Sequence, residues 1–241
     1  MKPIAIAVLT DLHLAQPDAA DGSGREYGRA EALLQKAVER LRLEVRPEVT
    51  LLLGDLVNDG RASTAPGLYR VVERELRGLD SPVVAIPGNH DGDAFFDVFP
   101  RPGIVDHAGM RFVCLLDPEE PEYNARRTEE GFELMRAARR GYLGPVVAVQ
   151  HVPVFPPGST DCPYAYLNAA EVVHVMREEE ITLAVAGHYH LGIDLLRSDG
   201  ITFHATRALC EKPFCFDVLR SDGREVGVEH HTLEPDSGSL C

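Results

Sequence analysis

Short runs of apolar residues, many of them β-branched, recur along the chain and predict buried strands. Each run ends abruptly at turn-forming or polar residues, as at Gly54 and at Pro87-Gly88. Turn sequences at 198–200 and 221–223 separate further strands in the C-terminal part. The strands predicted before that part cover residues 4–9, 49–53, 83–86, 104–107, 111–116, 146–149 and 181–186.

Apolar residues at helical spacing predict helices between these strands. The clearest helix runs from Arg25 to Leu43, and Pro47 prevents its continuation. Thr128 and Asn168 stand where the N-caps of two later helices are expected. The predicted helices cover residues 25–43, 66–78, 93–99, 128–142 and the segment after Asn168 through Met176; loops are predicted at 15–24, 117–127 and 153–167.

Organisation and composition limit the range of functions. No repeat or linker divides the 241 residues, so we expect one domain over residues 1–233 and a flexible tail over 234–241. The net charge of −14 argues against binding polymeric nucleic acid, which requires clustered cations. No apolar run is long enough to span a membrane, and we expect a cytoplasmic protein. Five scattered cysteines without a C-x-x-C pair favour reduced thiols, with a Cys162–Cys210 bridge as the alternative.

Polar side chains that can bind metal or transfer protons follow five of the predicted strands. Each cluster alone is compatible with an ordinary polar turn, but the clusters recur at equivalent positions, and sites in α/β sheets gather outside the carboxyl ends of strands. All these donors are oxygen or nitrogen, which suits Mn, Fe or Zn ions and argues against thiolate-bound metal. Seven ligands with one bridging carboxylate suit two cations about 3.5–4 Å apart. The clusters are Asp11/His13, Asp55, Asn89/His90, His151 and His188/His190.

In this order the clusters resemble the motifs of the calcineurin-like metallophosphoesterase family, most closely its class III branch of cyclic-nucleotide and glycerophosphodiester phosphodiesterases. The family pattern D-x-H, G-D-x-x-[DN], G-N-H-[DE], a lone histidine and G-H-x-H is matched by Asp11–His13, Gly54–Asn58, Gly88–Asp91, His151 and Gly187–His190. Asn58 stands where the family often has Asp.

The resemblance implies a four-layer α/β-β/α sandwich in which two mixed sheets are flanked by helices. It also implies a metal held by Asp11, His13, Asp55 and His190, and a second held by Asp55, Asn89, His151 and His188. Asp55 is then the bridging ligand. His90 is the implied proton donor, positioned by Asp91.

This ligand set suits hydrolysis of a phosphoester by in-line attack of hydroxide held by the metals, because coordination lowers the pKa of bound water. Asn89 and His90 would stabilise charge on the phosphoryl oxygens, and protonated His90 would assist the leaving alkoxide. We expect a phosphodiesterase acting on small diesters, with 3′,5′-cyclic nucleotides as candidates. The alternatives are a phosphomonoesterase or pyrophosphohydrolase acting on a small metabolite, and a non-catalytic scaffold of the same fold, which the complete ligand set disfavours.

Loops that leave the same edge as the ligands should surround the substrate. Tyr164 and Tyr166 could contact a base or an apolar leaving group, or could simply anchor their proline-rich loop. His204 could touch substrate or be a half-buried strand histidine. The strand-rich C-terminal part offers an edge for a homodimer. The loops expected around the cleft are 15–27, 58–64, 155–167 and 204–213, and the histidines expected to be structural are His107, His174, His230 and His231.

Overall fold

Two mixed β-sheets form the centre of the molecule. The computed structural model describes residues 3–16, 22 and 24–233, and the strands within them form a five-stranded sheet, a six-stranded sheet and a two-stranded ribbon. In chain order the strands are β1 (Ile4–Leu9), β2 (Val49–Leu52), β3 (Val83–Ala85), β4 (Ile104–His107), β5 (Met110–Cys114), β6 (Glu119–Glu120), β7 (Asn124–Ala125), β8 (Val146–Val149), β9 (Ile181–Ala186), β10 (Ile193–Ser198), β11 (Ile201–Ala205), β12 (Cys215–Ser221) and β13 (Val226–Thr232).

The strand order places the functional strand ends together. The five-stranded sheet has the order β13-β12-β1-β2-β3, with β1, β2 and β3 parallel and β12 antiparallel to both of its neighbours. The six-stranded sheet has the order β10-β11-β9-β8-β5-β4, and its four central strands are parallel. Because parallel strands end at the same edge, the residues that follow β1, β2, β3, β8 and β9 can meet there.

The connecting helices cover the outer faces of the sheets. They are α1 (Ala30–Arg40), which continues into a π-helical turn (Leu41–Val45), α2 (Ala65–Leu76), α3 (Glu129–Arg139) and α4 (Ala169–Glu178). Thr128 caps α3 as expected, since its side chain accepts a hydrogen bond from Gly131 N. Asn168 is the N-cap residue of α4 as expected, but its side chain makes no capping hydrogen bond; its amide instead binds the backbone N–H and C=O of Arg127.

Three apolar layers hold these elements together. One lies between the five-stranded sheet and α1 and α2, a second between the sheets, and a third between the six-stranded sheet and α3 and α4. In β1, Ile6 and Val8 face the second sheet, whereas Ala7 and Leu9 face the helices. Burial of both faces explains why this strand is apolar throughout. The four-layer sandwich expected from the resemblance is confirmed.

The structure also refines several sequence-based expectations. The segment 117–127, expected to be a loop, contains the β6–β7 ribbon around a short 3₁₀ turn (Pro121–Tyr123). Cys162 and Cys210 are both free thiols, so the alternative of a bridge between them is wrong. Over the described ranges, none of the helices is long and apolar enough to cross a membrane. The expected tail at 234–241 lies outside the described residues.

Candidate metal centre

The candidate ligands sit on tight turns at the strand ends. Asp11, His13, Asp55 and His188 all have left-handed backbones, with φ between 46° and 65°. Non-glycine residues adopt this region at a cost of about 1–3 kcal/mol each, and such residues cluster at functional sites. These turns direct the side chains back towards the edge where the two sheets meet.

Glycines allow the turns to approach each other closely. A Cβ on Gly88 would overlap the Asp55 carboxylate, and a Cβ on Gly187 would overlap the Thr10 hydroxyl beside Asp11. The two glycines are therefore required by contact between strand ends, not by their own backbone angles.

The first candidate half-site comprises the four residues expected to hold one ion: Asp11, His13, Asp55 and His190. His13 Nε2 lies 3.8 Å from Asp11 Oδ1 and 3.5 Å from Asp55 Oδ2, and His190 Nε2 lies 3.3 Å from Asp11 Oδ1. Asp11 Oδ2 accepts hydrogen bonds from the Thr10 hydroxyl and from His188 N. Asp11 Oδ1 and both nitrogens of His13 are buried without a hydrogen-bond partner. One side of Asp11 is thus held by the protein while the other faces the imidazoles.

The second candidate half-site comprises the four residues expected to hold the other ion: Asp55, Asn89, His151 and His188. His151 Nε2 lies 3.5 Å from Asp55 Oδ1, 3.1 Å from Asn89 Oδ1 and 3.1 Å from His188 Nδ1. The two oxygens of Asp55 therefore face different sets of donors, as a bridging ligand requires.

In three of the histidines, the ring nitrogen that points away from the site makes a hydrogen bond that assigns the tautomer. His151 Nδ1 donates to the Leu53 carbonyl at 2.6 Å, and His188 Nε2 donates to the Tyr123 carbonyl at 2.9 Å. His190 Nδ1 lies 2.5 Å from Glu211 Oε1. Carbonyl and carboxylate oxygens accept only, so these nitrogens carry the protons and the opposite lone pairs point into the site. Metal-binding histidines are commonly held in this way by an outer partner.

The electrostatics of the site favour bound positive charge. Burial alone would raise the pKa of Asp11 and Asp55, but neighbouring histidines outweigh burial and hold both below their usual range. Burial lowers the pKa of His151, yet the Asp55 charge overrides it and raises this pKa to about 10. For His13 and His188, burial dominates and lowers the pKa to about 3 and about 4. The two carboxylates are thus ionised and attract a positive charge.

The residues present fit a pair of cations. Metal–nitrogen distances are about 2.0–2.1 Å, so two nitrogens bound to one ion are separated by about 3 Å. His188 Nδ1 and His151 Nε2 are 3.1 Å apart, which agrees with this separation. The unpartnered atoms of Asp11 and His13 supply the same kind of evidence for the first half-site, since buried polar atoms are rarely left unsatisfied.

His90 lines the cleft, but its ring is not hydrogen-bonded to Asp91, the residue expected to position it. Its Nδ1 is 2.7 Å from the Asn58 carbonyl, which assigns the proton to Nδ1 and leaves Nε2 available. The Asp91 carboxylate instead accepts from Gly88 N, Leu56 N and the Tyr69 hydroxyl. Asp91 therefore fixes the turn that carries His90 and does not orient the ring directly.

Of the three further residues expected to contact substrate, one lines the cleft and two are buried away from it. The Tyr164 ring packs 4.5 Å from the His188 ring and lines the cleft. Tyr166 is 3% exposed and its hydroxyl donates to Asp117 at 2.6 Å, so it anchors its loop. His204 is 1% exposed between the sheets and binds Asp217 at 2.9 Å, which rules out substrate contact. Asp217 also binds His230, at 2.6 Å.

The cleft above the donors has a volume of about 510 Å³. The cleft is also lined by residues to which the sequence analysis assigned no individual role, although two of them lie in loops expected around the cleft and Tyr189 stands between two candidate ligands. They are Arg25, Tyr123, Tyr189, Leu191 and Glu211.

Comparisons with known proteins identify the family to which the chain is similar. A family model described as calcineurin-like phosphoesterase matches residues 4–192. A cAMP/cGMP dual specificity phosphodiesterase of Mycobacterium tuberculosis is 25% identical over 195 residues, covering 74% of this chain and 61% of that protein. A 3′,5′-cyclic-nucleotide phosphodiesterase of Nostoc is 33% identical over 105 residues, covering 43% of this chain and 36% of that protein. The chain therefore spans less than two thirds of the length of these relatives.

A solved structure supports the fold independently. The crystal structure of a dimetal phosphatase from Danio rerio matches with a TM-score of 0.71 at 18% identity, covering 96% of this chain and 99% of that one. At this identity the likeness establishes the architecture alone. The family match, in contrast, extends from β1 through the last strand-end histidine, and we conclude that the chain belongs to the calcineurin-like phosphoesterase family.

Proposed function

We propose that this protein is a dinuclear-metal-dependent phosphodiesterase that hydrolyses small phosphodiesters, with 3′,5′-cyclic nucleotides as candidate substrates. The observation that carries the proposal is the Asp55 carboxylate, whose two oxygens lie 3.5 Å from His13 Nε2 and 3.5 Å from His151 Nε2 respectively. A carboxylate between two sets of nitrogen donors suits a bridge between two cations.

Two bound ions, with Mn, Fe and Zn as candidates, would supply an activated water and positive charge at the phosphoryl group. Asp11, His13, Asp55 and His190 would hold one ion. Asp55, Asn89, His151 and His188 would hold the other.

His90 is the residue placed to move a proton. Its Nδ1 is occupied by the Asn58 carbonyl at 2.7 Å, so a proton bound at Nε2 is the one it can donate to a leaving alkoxide. The bond to a backbone carbonyl holds the ring in one orientation without adding a charge.

The charge of the cleft favours a diester. Among its described lining residues, Arg25 is the one Lys or Arg side chain, and it faces Glu211. A diester carries a single negative charge, whereas a phosphomonoester near neutral pH carries close to two. The two relatives described above, from Mycobacterium tuberculosis and Nostoc, are named as cyclic-nucleotide phosphodiesterases, which supports the same substrate class.

The test compares bis(p-nitrophenyl) phosphate with p-nitrophenyl phosphate on Mn²⁺-loaded protein. We expect faster hydrolysis of the diester, and a fall in kcat of about 10²–10⁴-fold in His90→Asn with an unchanged metal content. Asp55→Ala should lose both ions, measured by elemental analysis. His174→Asn, on the exposed face of α4, is the control and should match wild type.

Two results would contradict the proposal. A preference for the monoester would favour a phosphatase over a phosphodiesterase. A folded protein that takes up metal and cleaves neither ester would remove the catalytic assignment altogether.

A further inference from the structure

A sulfur donor lies beside the first half-site. One ligand atom each of Cys210, His13 and His190 lies within 4.8 Å of the others. Cys210 is fully buried and its thiol is free. The sequence analysis argued against a thiolate ligand, because the ligand motifs offer only oxygen and nitrogen donors and Cys210, twenty residues after His190, belongs to none of them.

Backbone hydrogen bonds fix the position of Cys210. Its N–H donates to the Asp11 carbonyl, and the preceding Leu209 N–H donates to the Thr10 carbonyl. Ala208 N–H donates to the His190 carbonyl. The segment is therefore attached to both turns that carry ligands of the first half-site, and the cysteine cannot move away independently of them.

A second observation points to a ligand at the same place. His13 has a completely buried side chain, and neither of its ring nitrogens has a hydrogen-bond partner. Buried donors and acceptors of this kind are costly unless something binds them. A ring nitrogen of this imidazole lies within 4.8 Å of the thiol sulfur.

We propose that Cys210 is an additional ligand of the first half-site, supplying a thiolate next to His13 and His190. The inference rests on the metal centre of the proposed function. On coordination the S–H bond breaks, a sulfur–metal bond forms, and the proton leaves to solvent. Thiolate ligands favour Zn²⁺ over Mn²⁺, so the two half-sites would differ in metal preference.

The surroundings of the thiol agree with this role. Burial, together with the charges of Asp11 and Glu211, raises the pKa of Cys210. The same negative charges that disfavour a free thiolate would stabilise a cation beside it.

The test is spectroscopic and uses the full chain, stripped of metal and kept reduced. Co²⁺ is titrated into the protein, and the near-ultraviolet sulfur-to-cobalt charge-transfer band is recorded. We expect the band in wild type, its loss in Cys210→Ser and in Cys210→Ala, and its retention in Cys215→Ser. Cys215 is a matched control, because it is equally buried but lies on β12 outside the candidate ligand groups. Competition titrations should show a larger fall in Zn²⁺ affinity than in Mn²⁺ affinity for Cys210→Ser.

Wild-type protein that binds Co²⁺ without the band would overturn the inference, whether or not the variants fold. If that protein still hydrolyses phosphodiesters, only the role of Cys210 is wrong. A band in a protein that hydrolyses no ester would instead contradict the proposed function and leave the thiolate ligand intact.

Discussion

Glu211 is expected to set the metal affinity of the first half-site through His190. Its Oε1 lies 2.5 Å from His190 Nδ1, and the opposite nitrogen of the ring lies 3.3 Å from Asp11. A carboxylate partner orients a ligand histidine and raises its basicity. Among the histidines of the described site, His151 and His188 have backbone carbonyls in the equivalent place. Glu211→Gln therefore changes one half-site and leaves the other as an internal reference.

The magnitude follows from the type of hydrogen bond that is lost. Bonds to charged groups contribute about 1.5–3 kcal/mol and neutral ones about 0.5–1.5 kcal/mol, so the exchange removes about 1–1.5 kcal/mol. The Glu211 and His190 side chains retain 21% and 15% exposure, so solvent screens part of this energy. About 1 kcal/mol corresponds to about a fivefold weaker Kd. Glu211→Leu, which removes the partner entirely, should weaken binding by about 10–100-fold.

Isothermal titration of the metal-free protein with Zn²⁺ and with Mn²⁺ measures these changes. The Kd of one of the two binding steps should increase from wild type to Glu211→Gln and further to Glu211→Leu. The Kd of the other step should stay constant. Glu39→Gln, which removes an exposed carboxylate on α1, should titrate as wild type. The reasoning is refuted if both variants bind both ions as wild type does, or if both steps weaken equally.

Two further predictions concern the scaffold. Asp217→Asn should lower the free energy of unfolding at pH 7 by about 3 kcal/mol, because it leaves two histidine partners without their buried carboxylate. Burial alone would raise the pKa of Asp217, but the two histidines outweigh burial and lower this pKa. The stabilising contribution of Asp217 is therefore present above about pH 4 and is lost as pH falls through the folded-state pKa. Urea unfolding of this variant and of Asp194→Asn at several pH values measures the difference, and equal stabilities of the two variants at pH 7 would contradict the prediction. Gly187→Ala should displace the Thr10 hydroxyl and abolish tight metal binding. Gly227→Ala, which has open space around its Cα, should bind metal normally. Metal content after dialysis measures both variants, and a fully loaded Gly187→Ala protein would contradict the close-packing argument.

The convergence of the candidate ligands could be predicted from the sequence because their positions follow from a simple rule. Apolar strands that are buried on both faces end in polar residues, and the ends of parallel strands share an edge. The rule places Asp11 and Asp55 at one edge of the five-stranded sheet and His151 at an edge of the six-stranded sheet, and the packing of the two sheets brings these edges together. The rule requires no knowledge of side-chain packing, which is why it worked where finer expectations did not.

The outer partners could not be identified because they depend on contacts between distant segments. The Tyr123 carbonyl reaches His188 only because Glu122 and Tyr123 both have left-handed backbones, in a segment that reads as loop. His204 is removed from the cleft because its strand turns that face towards Asp217 on the other sheet. Asn168 occupies the N-cap position of α4, but its amide binds the backbone of Arg127 in place of the helix N–H groups.

The strained turns of the site are held by the sheet itself. Pairing between β1 and β2 continues beyond both strands, since Asp11 N donates to the Gly54 carbonyl at 3.0 Å and His13 N donates to the Asp55 carbonyl at 2.9 Å. Gly187 N donates to the His151 carbonyl in the other sheet. Each ligand turn is therefore bonded to a second ligand turn, and the cost of a left-handed residue is offset by hydrogen bonds that a relaxed backbone would break. The donor side chains are consequently held in place by the protein itself, because the hydrogen-bonded pairing of the strands continues into the turns that carry them.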